Sequence, residues 1–289
     1  MKFADPKNDV AFRKIFGNEA KKIVLISFLN SVLSLKGDRC IIDLEFRNTF
    51  QLPRIAGLKS SIIDVKVKDQ SGTTYIVEMQ LSEVTGFDKR VQYYVSKENA
   101  SQIEKGDNYS KLTPVVFIGI LEFEYFDGEN YLTEHLIINT KTQKNELKDI
   151  NFNFIELPKF NKELKDCKNL IDKWIYFIKN AENLEVIPPN VDDEGLKEAY
   201  ILSDKHGWSK DELESYDYFL MREQDERGRV ELAVNKAVKK AVKQAEEKAQ
   251  EKAEKRKTLE IAKNLKLAGI DKKIIVNVTG LIPEEIEKL

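Results

Sequence analysis

Within the stretch SIIDVKVKDQSGTTYIVEMQ, from Ser61 to Gln80, two apolar strands flank a Gly-containing turn, and three polar side chains break the pattern. Asp64 lies on the first strand; Glu78 and Gln80 lie two residues apart on the second. Side chains alternate between the faces of a strand. Ile63, Val65 and Val67 therefore share one face, and Asp64, Lys66 and Lys68 the other. On the second strand Tyr75, Val77, Met79 and Leu81 oppose Ile76, Glu78 and Gln80. A turn centred near Ser71 sets Asp64 across from Glu78. Carboxylates placed directly opposite repel, and a hairpin built only for stability would set Asp64 against a lysine. A divalent cation keeps both ionised, because it reverses the local electrostatics. Two readings stand: the polar outer side of a hairpin, or a metal site.

The rest of the composition narrows the metal. His135 and His206 are the only histidines, which argues against zinc held by imidazoles. Cys40 and Cys167 are the only cysteines, without metal-binding spacing, and suggest a reducing compartment with no disulfide framework. Oxygen ligands remain, and they suit magnesium or a similar hard cation. The 289 residues carry a net charge of −2, so no global field draws nucleic acid and any basic surface is local. The opening MKFADPKNDV has no apolar signal core. The runs IVLISFL and VVFIGIL fall short of the roughly 20 residues a membrane span needs. A cytoplasmic protein without membrane association is expected.

The elements that must position the carboxylates follow from periodicity. Asp5 and Pro6 cap and open a short helix through KNDVAFRKIFG, with Gly17 as its stop. A longer helix covers EAKKIVLISFLNSVLSL, CIIDLEF reads as a strand, and QLPRIAGLKS as a loop. The hairpin adds strands at about Ser61–Lys68 and Thr73–Leu81. A helix from about Gly86 to Lys105 precedes PVVFIGILEF, a continuous apolar run expected of a strand buried on both faces. The order α, β, β, β, α, β predicts a mixed sheet with helices packed on it. Strands at EHLIINT and NFIEL and a helix through LIDKWIYFIKN follow, and Pro188–Pro189 mark a break.

From Arg229 to Lys257 ten basic residues face five acidic ones, and alanine recurs every fourth position from Ala233 to Ala253. Propensity makes this a long helix. It reads either as a solvated connector or as a coiled coil that joins copies of the chain. The last segment, LAGIDKKIIVNVTGLIPEEIEKL, outlines two short helices around Thr279–Gly280. Glu284 and Glu285 open the second helix and oppose docking on phosphates, so a packing or dimerisation tail is expected.

An acidic residue on the second strand followed by E-x-[KQ] on the third, within α-β-β-β-α-β, resembles the PD-(D/E)XK nuclease superfamily. The likeness is greatest to its recombination-promoting nuclease and transposase group. KNDVAFRKIFG, VEMQ followed by FDKRVQYYVSKENASQIEKGDNYSKLTPVVFIGIL, FIELPKF, LIDKWIYFI and the ending VTGLIPEEIEKL all resemble that group. The resemblance implies a restriction-endonuclease-like α/β core over 1–187, a helical linker over 188–228, and a long helix with a small helical tail over 229–289. It implies a metal-dependent DNA endonuclease serving recombination or a mobile element. The alternative is an inactive nuclease fold that binds DNA or protein.

The resemblance also assigns roles. Asp64, Glu78 and the main-chain carbonyl of Met79 would bind Mg2+, with Mn2+ as a substitute. Gln80 would orient the attacking water or a phosphate oxygen. Lysine is commoner there, and glutamine carries no charge; Lys66 or a second metal could supply the cation, although Lys66 also reads as a solvent-facing lysine. Asp9 would extend the metal shell, or simply favour the first turn of its helix through the dipole. Independently of the family, Arg90, Tyr93 or Tyr94, and Lys97 form a stripe on the helix after the hairpin. Arg90 reads as a phosphate contact or a surface ion-pair partner, and Tyr94 as its neighbour or a half-buried packing residue.

Overall fold

Asn8, rather than Asp5, caps the first helix. Its side-chain oxygen accepts the N–H groups of Val10 and Ala11, and α1 runs Asp9–Phe16 to Gly17. Asp5 instead accepts the Lys7 N–H at 3.0 Å and turns the chain just ahead of that cap. A single 3-10 turn at Glu19–Lys21 precedes α2, Ile23–Val32, so the second helix is shorter than expected. The structure, a computed structural model, describes residues 1–51 and 61–289, for residues 50, 51, 61 and 62 in the main chain alone. The expected loop QLPRIAGLKS falls, from Leu52 onward, outside the described residues.

Short strands follow at Leu44–Phe46 (β1), Phe50–Gln51 (β2) and Ser61–Ile62 (β3), then β4 at Val65–Asp69 and β5 at Thr74–Gln80. Helix α3, Phe87–Ser101, leads into β6, Val115–Leu121; β7 spans Leu132–Leu136, β8 Ile150–Glu156, and α4 Leu170–Asn180. Six strands form one sheet in the order β1-β4-β5-β6-β8-β7, while β2 and β3 pair separately. The neighbours β5, β6 and β8 run parallel, and the remaining pairs are antiparallel. This is the mixed, helix-covered sheet that the element order predicted, in agreement with the fold the resemblance implied.

All seven residues of β6 are buried, because helices cover both sides of the sheet. On one side Val65, Val67, Tyr75, Val77, Ile118 and Ile120 join the apolar residues of α1, α2 and α4. On the other, Ile76, Phe117 and Leu121 meet Phe87, Val91 and Val95 of α3. Ile63 belongs to this second group and not, as alternation predicted, with Val65 and Val67. The pleat is interrupted between them.

Chain contacts group Met1–Leu220 into one compact unit and Met221–Leu289 into another. The first therefore continues past Pro188–Pro189. Helix α5, Glu194–Ser203, brings Leu196, Ala199 and Tyr200 into the core, and Trp208 and Tyr216 follow, so much of the segment expected as a linker is packed. The fit against α2 is close at Gly195: a Cβ there would lie 2.5 Å from the Ile23 carbonyl oxygen and from Ser27 Cβ. Ser27 Oγ donates to Asp193 Oδ1 at 2.6 Å and accepts the Trp174 indole N–H at 3.1 Å. Helix α6, Lys210–Leu267, is 58 residues long. In the second unit its end packs with α7, Lys272–Thr279, and α8, Pro283–Glu287, around Ala262, Ile275, Leu281 and Ile286. Among the described residues no helix is long and apolar enough to cross a membrane.

Candidate metal centre

The β4–β5 ladder pairs Val65 with Val77, Lys66 with Ile76 and Val67 with Tyr75. One step further along this register, Asp64 comes abreast of Glu78, the alignment that a turn near Ser71 predicts. The ladder itself stops short of that pair. Asp64 Oδ2 accepts the Met79 N–H at 2.9 Å, a side-chain oxygen standing where a strand would offer its main chain. The chain bends there, which divides the expected Ser61–Lys68 strand into β3 and β4 and moves Ile63 to the other face. Within a strand the N–H and C=O of one residue point to the same edge. The Met79 carbonyl therefore also faces the Asp64 side.

Burial argues against the solvated-face reading of the hairpin. Glu78 is only 9% exposed, and its Oε1 is buried without a hydrogen-bond partner. An ionised carboxylate in such a place is costly. Desolvation, then the Asp64 charge, pushes the Glu78 carboxyl up to about 8, with the Arg90 charge, a hydrogen bond from the Asp64 backbone and the Arg13 charge opposing the rise. Asp64 is also raised: desolvation is the largest cause, the Met79 N–H opposes it, and the Asp9 charge adds to it. This is no solvated outer face. It is a pair of hard oxygen donors in which each charge disfavours the other.

Such a pair fits a divalent cation. Magnesium keeps several waters and commonly uses one or two carboxylates. The orphaned Glu78 oxygen, the second Asp64 oxygen and the Met79 carbonyl are ligands of the required type. Among the described residues, no group of three or more His, Cys, Asp or Glu side chains is arranged to hold a metal.

The cations lie elsewhere than expected. Lys66 is neither solvent-facing nor turned to the carboxylates; its Nζ is 3.1 Å from Glu98 Oε2, which ties β4 to α3. Arg90 donates from Nη2 to Gln80 Oε1, while Gln80 Nε2 donates to the Ser82 carbonyl at 2.9 Å. Gln80 thus holds an arginine, and among the described residues Arg90 makes no ion pair within 4 Å. Its guanidinium carbon lies 5.7 Å from the Phe87 ring centre and 5.9 Å from that of Tyr94, which is half-buried against the α3-side core. Thr85, Gly86, Lys89, Arg90, Tyr93 and Tyr94 line an adjoining cavity of about 470 Å³.

Asp9 reaches the pair indirectly. Its Oδ1 is 3.2 Å from Arg13 Nε, and Arg13 Nη2 is 3.5 Å from Asp64 Oδ1. Arg13 escaped the sequence analysis, although its i,i+4 spacing from Asp9 marks an ion pair. The reach from α1 to Asp64 is tertiary and has no local signal.

Residues 6–233 match the family model described as PD-(D/E)XK nuclease family transposase. No curated protein and no solved structure matches the chain.

Proposed function

The chain belongs to the PD-(D/E)XK nuclease family transposases, and from that premise we propose that it is a metal-dependent endonuclease that hydrolyses phosphodiester bonds in DNA. The observation that carries this reading is Glu78, nine-tenths buried beside Asp64 with an oxygen left unpartnered. Asp64, Glu78 and the Met79 carbonyl would hold Mg2+ or Mn2+. A cation bound there would polarise the scissile phosphate and lower the pKa of an attacking water.

The chain's own residues do the rest. The Met79 N–H fixes Asp64 Oδ2 and so orients Oδ1. Gln80 would act by positioning Arg90, whose guanidinium would meet the charge of the phosphate. In this way Arg90 offsets the missing lysine. The cavity beside it, with Lys89 and two tyrosines, has the chemistry to take the neighbouring phosphate and base. Recombination or movement of a mobile element is the proposed setting, in the cytoplasm.

One observation favours the alternative, a nuclease fold kept for binding: both polar ends of the Gln80 carboxamide are engaged within the protein. Supercoiled plasmid separates the two. Incubation with Mg2+, with Mn2+ and with EDTA, for wild type, Asp64→Asn and Glu78→Gln, should give cleavage only in the metal-containing wild-type reactions. Cleavage that survives both substitutions would place the chemistry elsewhere, and binding without cleavage under all conditions would favour the binding module. Self-association through α6 is proposed from its half-exposed Val230, Val234, Val238 and Val242. Light scattering of full-length and 1–220 protein tests it; equal protomer numbers would remove it.

A further inference from the structure

Arg13 occupies the position in which an incoming cation would be useful. Asp64 has two oxygens, and Oδ2 already accepts the Met79 N–H. The oxygen left for a metal is Oδ1, and this is the atom that Arg13 Nη2 approaches at 3.5 Å. The same guanidinium, through Nε, holds Asp9 Oδ1 at 3.2 Å. One flexible side chain, half-exposed and anchored only at its α1 end, thus gathers two acidic groups beside a third, Glu78.

We propose that Arg13 is a place-holder: it neutralises Asp64 and Asp9 in the metal-free protein and leaves Asp64 when a divalent cation binds, thereby setting the metal affinity of the centre. The inference rests on the metal-nuclease reading above and adds the step by which the site loads. Arg13 has somewhere to go. It lines an open cleft of about 680 Å³ that Asp211 and Glu214, from the start of α6, line as well. A guanidinium released from Asp64 can turn to these carboxylates without losing ionic partners. The exchange also frees Asp9 to turn toward the centre. Because Arg13 is half-exposed, solvent screens its competition, and the effect on affinity is about tenfold rather than many thousandfold.

Mn2+ titration of the full-length chain, followed by electron paramagnetic resonance at fixed pH and ionic strength, tests the proposal. Arg13→Gln keeps helix propensity and removes the charge; Arg13→Lys keeps the charge and removes the fork; Arg39→Gln, at an exposed site elsewhere, controls for net charge. Arg13→Gln should bind Mn2+ about tenfold tighter than wild type, Arg13→Lys in between, and Arg39→Gln as wild type does. Melting adds a second readout: Arg13→Gln should melt lower than wild type without metal, yet gain more from saturating Mn2+. Unchanged or weaker Mn2+ binding by Arg13→Gln would overturn the place-holder and leave a merely structural ion pair. If wild type and Arg13→Gln both fail to bind Mn2+ at Asp64 and Glu78, the metal-centre reading itself falls.

Discussion

Two regions of the same sheet bury carboxylates in opposite ways. At the end of β8, Glu156 is 0% exposed and fully answered: it accepts the N–H groups of Tyr125 and Phe126 and sits 2.9 Å from Lys159 Nζ. Close by, Asp172 of α4 accepts from the Tyr131 hydroxyl at 2.6 Å and from Lys162 at 2.8 Å. At the end of β5, Glu78 is almost as deeply buried, but one oxygen has no partner and its nearest acidic neighbour raises its cost. Buried charges persist when paired and hydrogen-bonded within the fold. Where the fold supplies that pairing, the carboxylate is structural. Where it withholds it, the carboxyl keeps a proton or, on the reading proposed above, takes a metal ion.

Substitutions on either side should separate the two regions cleanly. The largest effect is expected at the centre. Asp64→Asn or Glu78→Gln should lower plasmid cleavage by more than about 10³-fold, since metal charge stabilisation is worth several kcal/mol and each 1.36 kcal/mol is tenfold. At neutral pH Glu78→Gln should leave the melting temperature of metal-free protein unchanged, because the raised Glu78 carboxyl is already largely protonated there, while Asp64→Asn should lower it only slightly, through the lost Arg13 pair. Lys159→Met should do the reverse. It strands Glu156, costs about 3–5 kcal/mol, and lowers the melting temperature by roughly 10 °C.

A smaller effect follows from pH. The folded-state value of Glu78 lies above its unfolded value, so between about 4.5 and about 8 the folded protein keeps a proton the unfolded chain has released. Metal-free stability should therefore fall as pH rises through that window, by on the order of 5 °C in melting temperature. Saturating Mg2+ should reverse the fall at the alkaline end, and Glu78→Gln should flatten the curve. A wild-type curve already flat across this window, measured by calorimetry in EDTA, would mean that Glu78 is better solvated than described. The smallest effect on cleavage is expected for Lys66→Met, which removes one partner of the buried Glu98 and costs about 2 kcal/mol of stability with cleavage retained. Loss of cleavage there would return Lys66 to the catalytic role that its pairing with Glu98 argues against.

The sheet and the carboxylate alignment were legible because both depend on short-range periodicity. Alternation and one Gly-containing turn sufficed to set Asp64 against Glu78, and the continuous apolar run of β6 announced a strand covered on both faces. The bend at Asp64 was not legible. It arises when a side chain takes over a main-chain hydrogen bond, and the residues on either side remain good strand formers. Lys66 and Glu98, or Arg13 and Asp64, are far apart in sequence, and nothing local distinguishes their pairing from solvent exposure. The packing beyond Pro188–Pro189 was hidden for a related reason: two prolines end an element, but they do not end a core.

The snug seating of Gly195 against α2 bears on how the protein can be handled. A fragment cut at the twin prolines would keep every proposed ligand yet lose the helix that shields Phe3 and Phe177, both of which pack on Tyr200. Helix α1, which carries Asp9 and Arg13, would lose a supporting wall as well. A fragment extended through Leu220 preserves that buttress, and is the minimal piece in which the centre can be expected to keep its shape.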